Sequence, residues 1–508
     1  MKRPGHASVR EAGQQSAGPS AGPQNAPGAT SALGWSLLNT AVARFGTLGI
    51  GIVLARLLGP DSYGSFAVAM VALLAVLTVN ELGVSLAIVR WPEDPAPIAP
   101  TVTTISILSS AVLCVAGLAA APWFADRMGD PGATDVVRVM VCCVLVSGVV
   151  ATPAALMQRA FDQKTKMLID QVNVWVGAIV SICLVLAGMG AMSLAVGRLA
   201  GTVAGGLLFV IKSPLPLRLG LDRSVLMPLL RFGLPLAGTS IIVFCVGYLD
   251  QLVTGSTLGP VMLGMYVLAF NLSSWPVTMF SQPLRSVAPV VLARMQHDPQ
   301  RMGSTVTALI GVLTCVVFPA VTFLAAESET IVRIVYGDAW AGASAALFWL
   351  AMVAGLRILF ELIYDYLVVA GMTGSIMSIQ VCWLVALLPA LFLGAGGGIA
   401  GVAMAQFVVV AALVLPLYLW RLRAVGVPPL RVLRQLLLPS AAAAVLLAAS
   451  ALLGRMELGV PWALLLSGAV AGSLTAGLLW LKHADVAMLK NLGRSGGLAG
   501  HQRQPGNL

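Results

Sequence analysis

The sequence predicts an all-α polytopic membrane protein of about 14 transmembrane helices, built as two parallel six-helix repeats plus a C-terminal helix pair. Three observations predict it. Hydrophobic residues make up 58% of the chain and charged residues only 10%, against about 25% charged in an ordinary soluble domain. Apolar runs of roughly 20 residues, each long enough to cross the hydrocarbon core as a helix, recur from Leu33 to Leu481. One motif also occurs twice, 200 residues apart.

The runs place spans at 33–57, 64–88, 101–122, 135–157, 168–189, 191–211, 230–253, 261–283, 303–325, 343–368, 373–393, 398–420, 436–453 and 461–481. Ahead of them, residues 1–30 are rich in Gly, Pro, Ser, Gln and Ala. Such a segment buries too little apolar surface to offset its ordering entropy, and a disordered cytoplasmic tail is expected. No apolar core follows Lys2 and Arg3 within those residues, so a signal peptide is not expected. The expected organisation is a tail at 1–30, a six-helix lobe at 31–212 and a cytoplasmic linker at 213–229. A second six-helix lobe at 230–425, two further helices within 426–482 and a cytoplasmic tail at 483–508 complete it.

The duplication rests on two matches in register. Leu58-Gly59-Pro60 with Gly64 repeats as Leu258-Gly259-Pro260 with Gly264, each in a short break between long apolar runs. Trp175, Gly190 and Ala195 repeat as Trp383, Gly398 and Ala403, all at an offset of 208. The copies lie six spans apart, an even number, so they run in the same direction across the membrane. Gly and Pro end one helix and open the next, because Pro at the first helical position lacks only an N–H that has no partner there. The last two spans contain no Lys, Arg, Asp or Glu and have no counterpart in the duplication.

Charge fixes the expected orientation. With the N-terminus inside, the inner segments hold 22 of the 30 Lys and Arg, and the outer segments hold five: Arg56, Arg127, Arg138, Arg333 and Arg455. Acidic residues divide evenly, eight on each side. A bias of cations alone is the positive-inside pattern, with both termini cytoplasmic. The surplus charge of +10 therefore reads as topology and attraction to anionic inner-leaflet lipid, and nucleic-acid binding is not expected. All seven cysteines fall inside spans with no C-x-x-C pair, which reads as small buried apolar residues rather than a metal site.

Seven ionisable residues lie well within the spans, away from their ends: Arg44, Glu81, Arg198, Asp250, Arg357, Glu361 and Asp365. Each costs about 2.5–3.5 kcal/mol at a helix centre, so each must face another charge, water or a ligand. Arg357, Glu361 and Asp365 are spaced i, i+4, i+8 and share one helix face. A structural ion pair between Arg357 and Glu361, or between Arg44 and Glu81, is the plain alternative to a ligand role. Taken together, the set predicts a polar cavity between the two halves. No phosphate-binding G-x-x-x-x-G-K-[ST] sequence occurs, and no loop exceeds roughly 20 residues. An enzyme is therefore not expected.

The chain resembles the polysaccharide-transporter (O-antigen/oligosaccharide flippase) branch of the multidrug/oligosaccharidyl-lipid/polysaccharide flippase superfamily. The resemblance is carried by Asn39, Arg44 and the run Ala55-Arg56-Leu57-Leu58-Gly59-Pro60-Asp61-Ser62-Tyr63-Gly64, then by Glu81-Leu82-Gly83 with Ala87-Ile88-Val89. Gln158-Arg159-Ala160-Phe161-Asp162-Gln163-Lys164 follows, and then Phe232-Gly233-Leu234-Pro235, Tyr248-Leu249-Asp250 and Tyr336-Gly337-Asp338-Ala339-Trp340. The resemblance covers about residues 33–420. It implies movement of undecaprenyl-diphosphate-linked oligosaccharide from the inner to the outer leaflet of the cytoplasmic membrane by alternating access. Implied partners are the lipid-linked oligosaccharide, membrane lipid, a polysaccharide polymerase and glycosyltransferases. Lipid II flipping and small-molecule or cation antiport, both found in the superfamily, stay open. Arginine suits a diphosphate because its planar fork donates two parallel hydrogen bonds. Arg44, Arg357 and Arg198 are the expected head-group contacts. Glu81, Asp250, Glu361 and Asp365 are expected to balance these charges or to bind a coupling Na+ or H+. No other cofactor and no metal are expected.

Overall fold

The structure, a computed structural model, describes residues 29–80, 84–91, 94–293, 295, 298–456 and 459–489. The chain divides into two compact units, Met1–Ile50 and Gly51–Leu508. In the first, the described residues are helical from Ala29 onward.

Among the described residues every regular element is helical. In chain order they are α1 (Ala29–Asn80), α2 (Val84–Arg90), α3 (Ala99–Arg127), α4 (Thr134–Arg159), α5 (Gln163–Leu186) and α6 (Ala191–Ile211). There follow α7 (Arg223–Leu258), α8 (Pro260–Ala293), α9 (Pro299–Ala326), the short α10 (Ser328–Tyr336), α11 (Ser344–Val369) and α12 (Thr373–Ala395). A span formed by α13 (Gly398–Val409), a π turn at Val410–Val414 and α14 (Leu415–Ala424) precedes the final pair, α15 (Pro429–Leu453) and α16 (Val460–Leu481). Thirteen described stretches are long and apolar enough to cross a membrane. The expected first and second spans are the two arms of α1, which meet at the expected break, where Gly59 leaves the helical conformation. Of the expected second span, residues 64–80 and 84–88 are helical, and residues 81–83 lie outside those described.

The duplicated motifs adopt the same backbone. Gly59 has φ 70° and ψ 174°, and Gly259 has φ 84° and ψ 178°. Gly190 and Gly398 match likewise, at φ 54° and 67°. Side chains rarely tolerate these angles, so the repeated glycines mark repeated turns. The two copies also touch. A Cβ on Gly64 would collide with the Pro260 carbonyl oxygen, and one on Gly264 would lie 2.9 Å from Gly64 Cα.

More contacts gather at this seam. Arg56 donates from Nε to the Val335 carbonyl at 2.8 Å and from its guanidinium to the Ile334 carbonyl. These are among the last carbonyls of α10, which have no partner within their own helix, and a cation there also complements the helix dipole. Tyr63 meets Trp340 edge to face, with ring centroids 5.3 Å apart. Leu263 and Val267 of α8 are buried in one apolar cluster with Ala67, Val71, Val137 and Val141 from the first half. At this end, then, the first and second six-helix repeats are packed together.

The helix ends follow local chemistry. Asp162, Asp222 and Asp298 cap α5, α7 and α9, accepting from the backbone N–H of Thr165, Ser224 and Arg301. The α7 start at Arg223 makes residues 223–229 of the expected linker helical. Upstream, that linker is tied to α3: the Gly220 and Asp222 amides donate to Thr104 and Thr101 at 3.0 Å each.

The final pair packs on α9, which carries a buried carboxylate at its end. Glu327 is 8% exposed and accepts hydrogen bonds from Ser450 of α15 at 2.8 Å and Ser467 of α16 at 2.7 Å. At the far end of the same interface, Lys482 and Asp485 pair at 3.7 Å.

Candidate functional site

The middle of α11 carries the expected charged face. Arg357 and Glu361 line a cavity of about 300 Å³ together with Tyr364, Phe360 and the α7 residues Val243, Val246 and Gly247. Gln380 and Trp383 of α12, Gln406 of α13 and Tyr418 of α14 close it. All of these belong to the second half of the chain. This cavity lies within the second half of the chain, and the first-half members of the cavity expected between the halves, Arg44 and Glu81, lie outside the described residues. Its position has a simple cause: α11 packs against α8, α9 and α13, so the charged face of α11 turns toward α7 and α12.

Asp250 stands next to this cavity. It is 1% exposed and accepts from the Tyr266 hydroxyl at 2.8 Å and the Gln251 amide at 2.8 Å. The Gln406 side chain lies 3.4 Å from the same hydroxyl, and the charge of Arg357 on α11 acts on Asp250. A buried carboxylate without such partners would be prohibitively costly. Gln406 and Arg357 also border a second, narrower crevice lined by Phe270, Ser273 and Ser274 of α8. They form the wall between two pockets.

The remaining expected residues are dispersed. Asp365 is buried one helical turn beyond Glu361 and lines neither pocket. Arg198 on α6 is exposed, and its charge acts on Cys143 of α4. It lines neither pocket. The Arg44 side chain and all of Glu81 lie outside the described residues. Thus Asp250, Arg357 and Glu361 are brought together, and Arg198 is not among them. No group of three or more His, Cys, Asp or Glu suited to a metal ion occurs among the described residues.

Sequence reasoning passed over the uncharged members of the site. Gln380, Gln406, Tyr266 and Tyr418 carry no charge that would single them out in an apolar run. Trp383 was visible only as a repeat anchor. Its counterpart Trp175 is 44% exposed while Trp383 is 7% exposed. Phe360 stacks on Tyr418 at 5.0 Å and meets Trp383 edge to face at 6.3 Å, so one wall of the cavity is aromatic. Chemically, the site joins one guanidinium, two nearby carboxylates, two amides and an aromatic wall.

Comparison with known proteins gives a consistent result. The lipopolysaccharide biosynthesis protein WzxC of Escherichia coli (strain K12) is 25% identical over 329 residues, 64% of this chain and 66% of that protein, just under two thirds of its length. The succinoglycan biosynthesis transport protein ExoT of Rhizobium meliloti (strain 1021) is 25% identical over 407 residues, 78% of this chain and 80% of that one. Among solved structures, the lipid II flippase MurJ in an inward closed conformation superposes with a TM-score of 0.71 at 14% identity, covering 89% of this chain and 100% of the other. An inward-facing multidrug resistance transporter of the MATE family superposes at 0.60 and 15% identity, covering 75% and 94%. These two likenesses concern the fold. The model of the polysaccharide biosynthesis protein family matches residues 53–345, more than half of the 508 residues, and the chain belongs to that family.

Proposed function

We propose that this protein is a flippase that moves undecaprenyl-diphosphate-linked oligosaccharide, the repeat unit of a surface polysaccharide, from the inner to the outer leaflet of the cytoplasmic membrane. The observation that carries the reading is a polar, charged cavity inside an otherwise apolar bundle whose family serves polysaccharide biosynthesis. The cargo has a polar glycan, an anionic diphosphate and a long apolar tail. The tail stays in lipid while the head crosses beside the two repeats, which alternate their open ends. The closed seam at Gly64 and Gly264 supports one end state of that cycle.

Arg44 and Arg198 are proposed as diphosphate contacts. Arg357 shares its surroundings with Asp250 and Glu361, and these neighbours favour a head-group hydroxyl over a phosphate at that position. Asp250, Glu361 and Asp365 also suit a coupling Na+ or H+, and Glu81 is proposed to act with Arg44. The cation bias of the segments supports cytoplasmic termini. A polymerase and glycosyltransferases are the proposed partners, because a flipped repeat unit must be made on one side and consumed on the other.

Deletion of the gene followed by mass spectrometry of lipid-linked glycans tests the reading. Accumulation of an inner-leaflet oligosaccharide diphospholipid, relieved by the purified protein in proteoliposomes, is expected. Accumulation of lipid II alone would assign the neighbouring substrate. Efflux of a small cation or drug without glycan translocation would replace the reading with antiport.

A further inference from the structure

Two buried polar atoms in the cavity wall have no hydrogen-bond partner among the described residues: Gln380 Oε1 and Trp383 Nε1. They lie three residues apart on α12, so they sit on one helix face. Trp383 is 7% exposed. Buried polar atoms are nearly always satisfied, and each orphan costs about as much as a lost hydrogen bond. One is an acceptor and the other a donor, and both belong to residues lining the same space.

That pairing selects a chemistry. A metal cation would satisfy the Gln380 carbonyl and leave the indole N–H alone. A phosphate would accept from the indole but face the carbonyl and the Glu361 carboxylate. A hydroxyl group both donates and accepts, and satisfies the two together. A cluster of waters filling the cavity of about 300 Å³ would also do so, and glycoside binding distinguishes the two. The aromatic wall of Phe360, Trp383 and Tyr418 supplies an apolar surface beside these polar groups. Hydroxyls around a ring with C–H faces are the signature of a sugar.

We infer that the cavity inside the second repeat is a sugar subsite that takes one neutral monosaccharide unit of the transported glycan. This rests on the flippase reading and deepens it. Gln380 accepts from, and Trp383 donates to, hydroxyls of that unit, while Arg357 and Glu361 engage others. Neutrality follows from Asp250 and Glu361, two carboxylates against the single guanidinium of Arg357: an acidic sugar would bring a third negative charge beside them.

Saturation-transfer NMR on the full-length protein in nanodiscs tests the inference, with the methyl glycosides of glucose, galactose and mannose as probes and methyl glucuronoside as the charged comparison. At least one neutral glycoside should bind, and the glucuronoside should not. Trp383→Phe, which keeps the ring and removes the N–H, and Gln380→Leu should each weaken binding about tenfold. Should Trp383→Phe fail to fold, as judged by elution and melting, the less buried Gln380→Leu decides. Neutral glycosides that fail to bind, or bind both variants as well as the original, show a water-filled space only and overturn the subsite. Equal binding of the glucuronoside overturns its neutrality. Lipid-linked oligosaccharide translocation by the same preparation separates the two readings. Translocation without glycoside binding removes the subsite and leaves the flippase. Binding without translocation does the reverse.

Discussion

Gly64→Ala should open the seam between the repeats. In the present packing the added Cβ would run into the Pro260 carbonyl oxygen and lie 2.7 Å from its carbon and 3.1 Å from the Val261 nitrogen. All three are backbone atoms at the start of α8, so no side chain can swing aside. Overpacking of this kind costs up to about 3 kcal/mol, and Ala in place of Gly in a helix returns about 1 kcal/mol. The net of about 2 kcal/mol, at 1.4 kcal/mol per tenfold change, corresponds to about a 30-fold shift away from the closed seam. Leu263→Cys, in a background without the seven native cysteines, supplies the reporter. Leu263 is fully buried and packs with residues of the first half. Labelling by a membrane-impermeant maleimide should be negligible with Gly64 present and should rise about 30-fold with Gly64→Ala. Gly51→Ala, whose Cβ would meet nothing within 4 Å, is the control and should leave labelling unchanged. Unchanged labelling in a well-expressed Gly64→Ala protein would refute the claim that the repeats part at this contact.

Three other outcomes are expected. Arg357→Ala should abolish glycan translocation in proteoliposomes without loss of expression or insertion, and Arg357→Lys should restore it only in part, because a compact ammonium cannot serve the neighbouring carboxylates and a head-group hydroxyl together as the five guanidinium donors can; normal transport by the alanine variant would remove Arg357 from the site. Glu327→Leu should leave Ser450 and Ser467 only the 3.1 Å hydrogen bond between their own hydroxyls, stranding one of the two donors, and lower stability by about 1–3 kcal/mol, read as a drop in melting temperature in detergent, whereas an unchanged melting temperature would show that the carboxylate contributes nothing. The capping bonds hold the Asp162 and Asp222 carboxyls below the ordinary range, chiefly through the side-chain hydrogen bonds with Thr165 and Ser224. A depressed folded value means that this stabilisation is present above the ordinary carboxyl pKa of about 3.9 and is lost as pH falls through the folded value. Amide exchange at Thr165 and Ser224 should therefore accelerate below that pH, beyond the intrinsic trend, and Asp222→Asn should abolish the pH dependence at Ser224.

Much of the fold was legible because bilayer physics writes long signals. A 20-residue apolar run has few readings, and Gly-Pro breaks at equal spacing predicted turns that the backbone repeats at Gly59 and Gly259. The break between the two arms of α1 was legible in the same way, from Gly59 followed by Pro60 as the start of a new helix. For the site, charge in an apolar run pointed to Arg357, Glu361 and Asp250, which do converge. Charge gave no help with Gln380, Gln406 and Trp383, whose roles depend on which neighbours α12 and α13 present. Nor could the side of α11 facing a cavity be read from spacing. The i, i+4, i+8 pattern defines a stripe, and only the packing of α8, α9 and α13 around the rest of α11 fixes where the stripe points.

The bond between Glu327 and the last two helices has a consequence for how the protein is made. Ribosomes deliver helices in order, and the serines that satisfy this carboxylate arrive more than a hundred residues after it. Every nascent chain therefore passes through a stage in which the first twelve spans are synthesised but one acid at the membrane boundary has no hydroxyl to bind. A chain cut after Ala424 would lack both hydroxyls, and the Glu327 carboxylate would have to find water or a proton in their place.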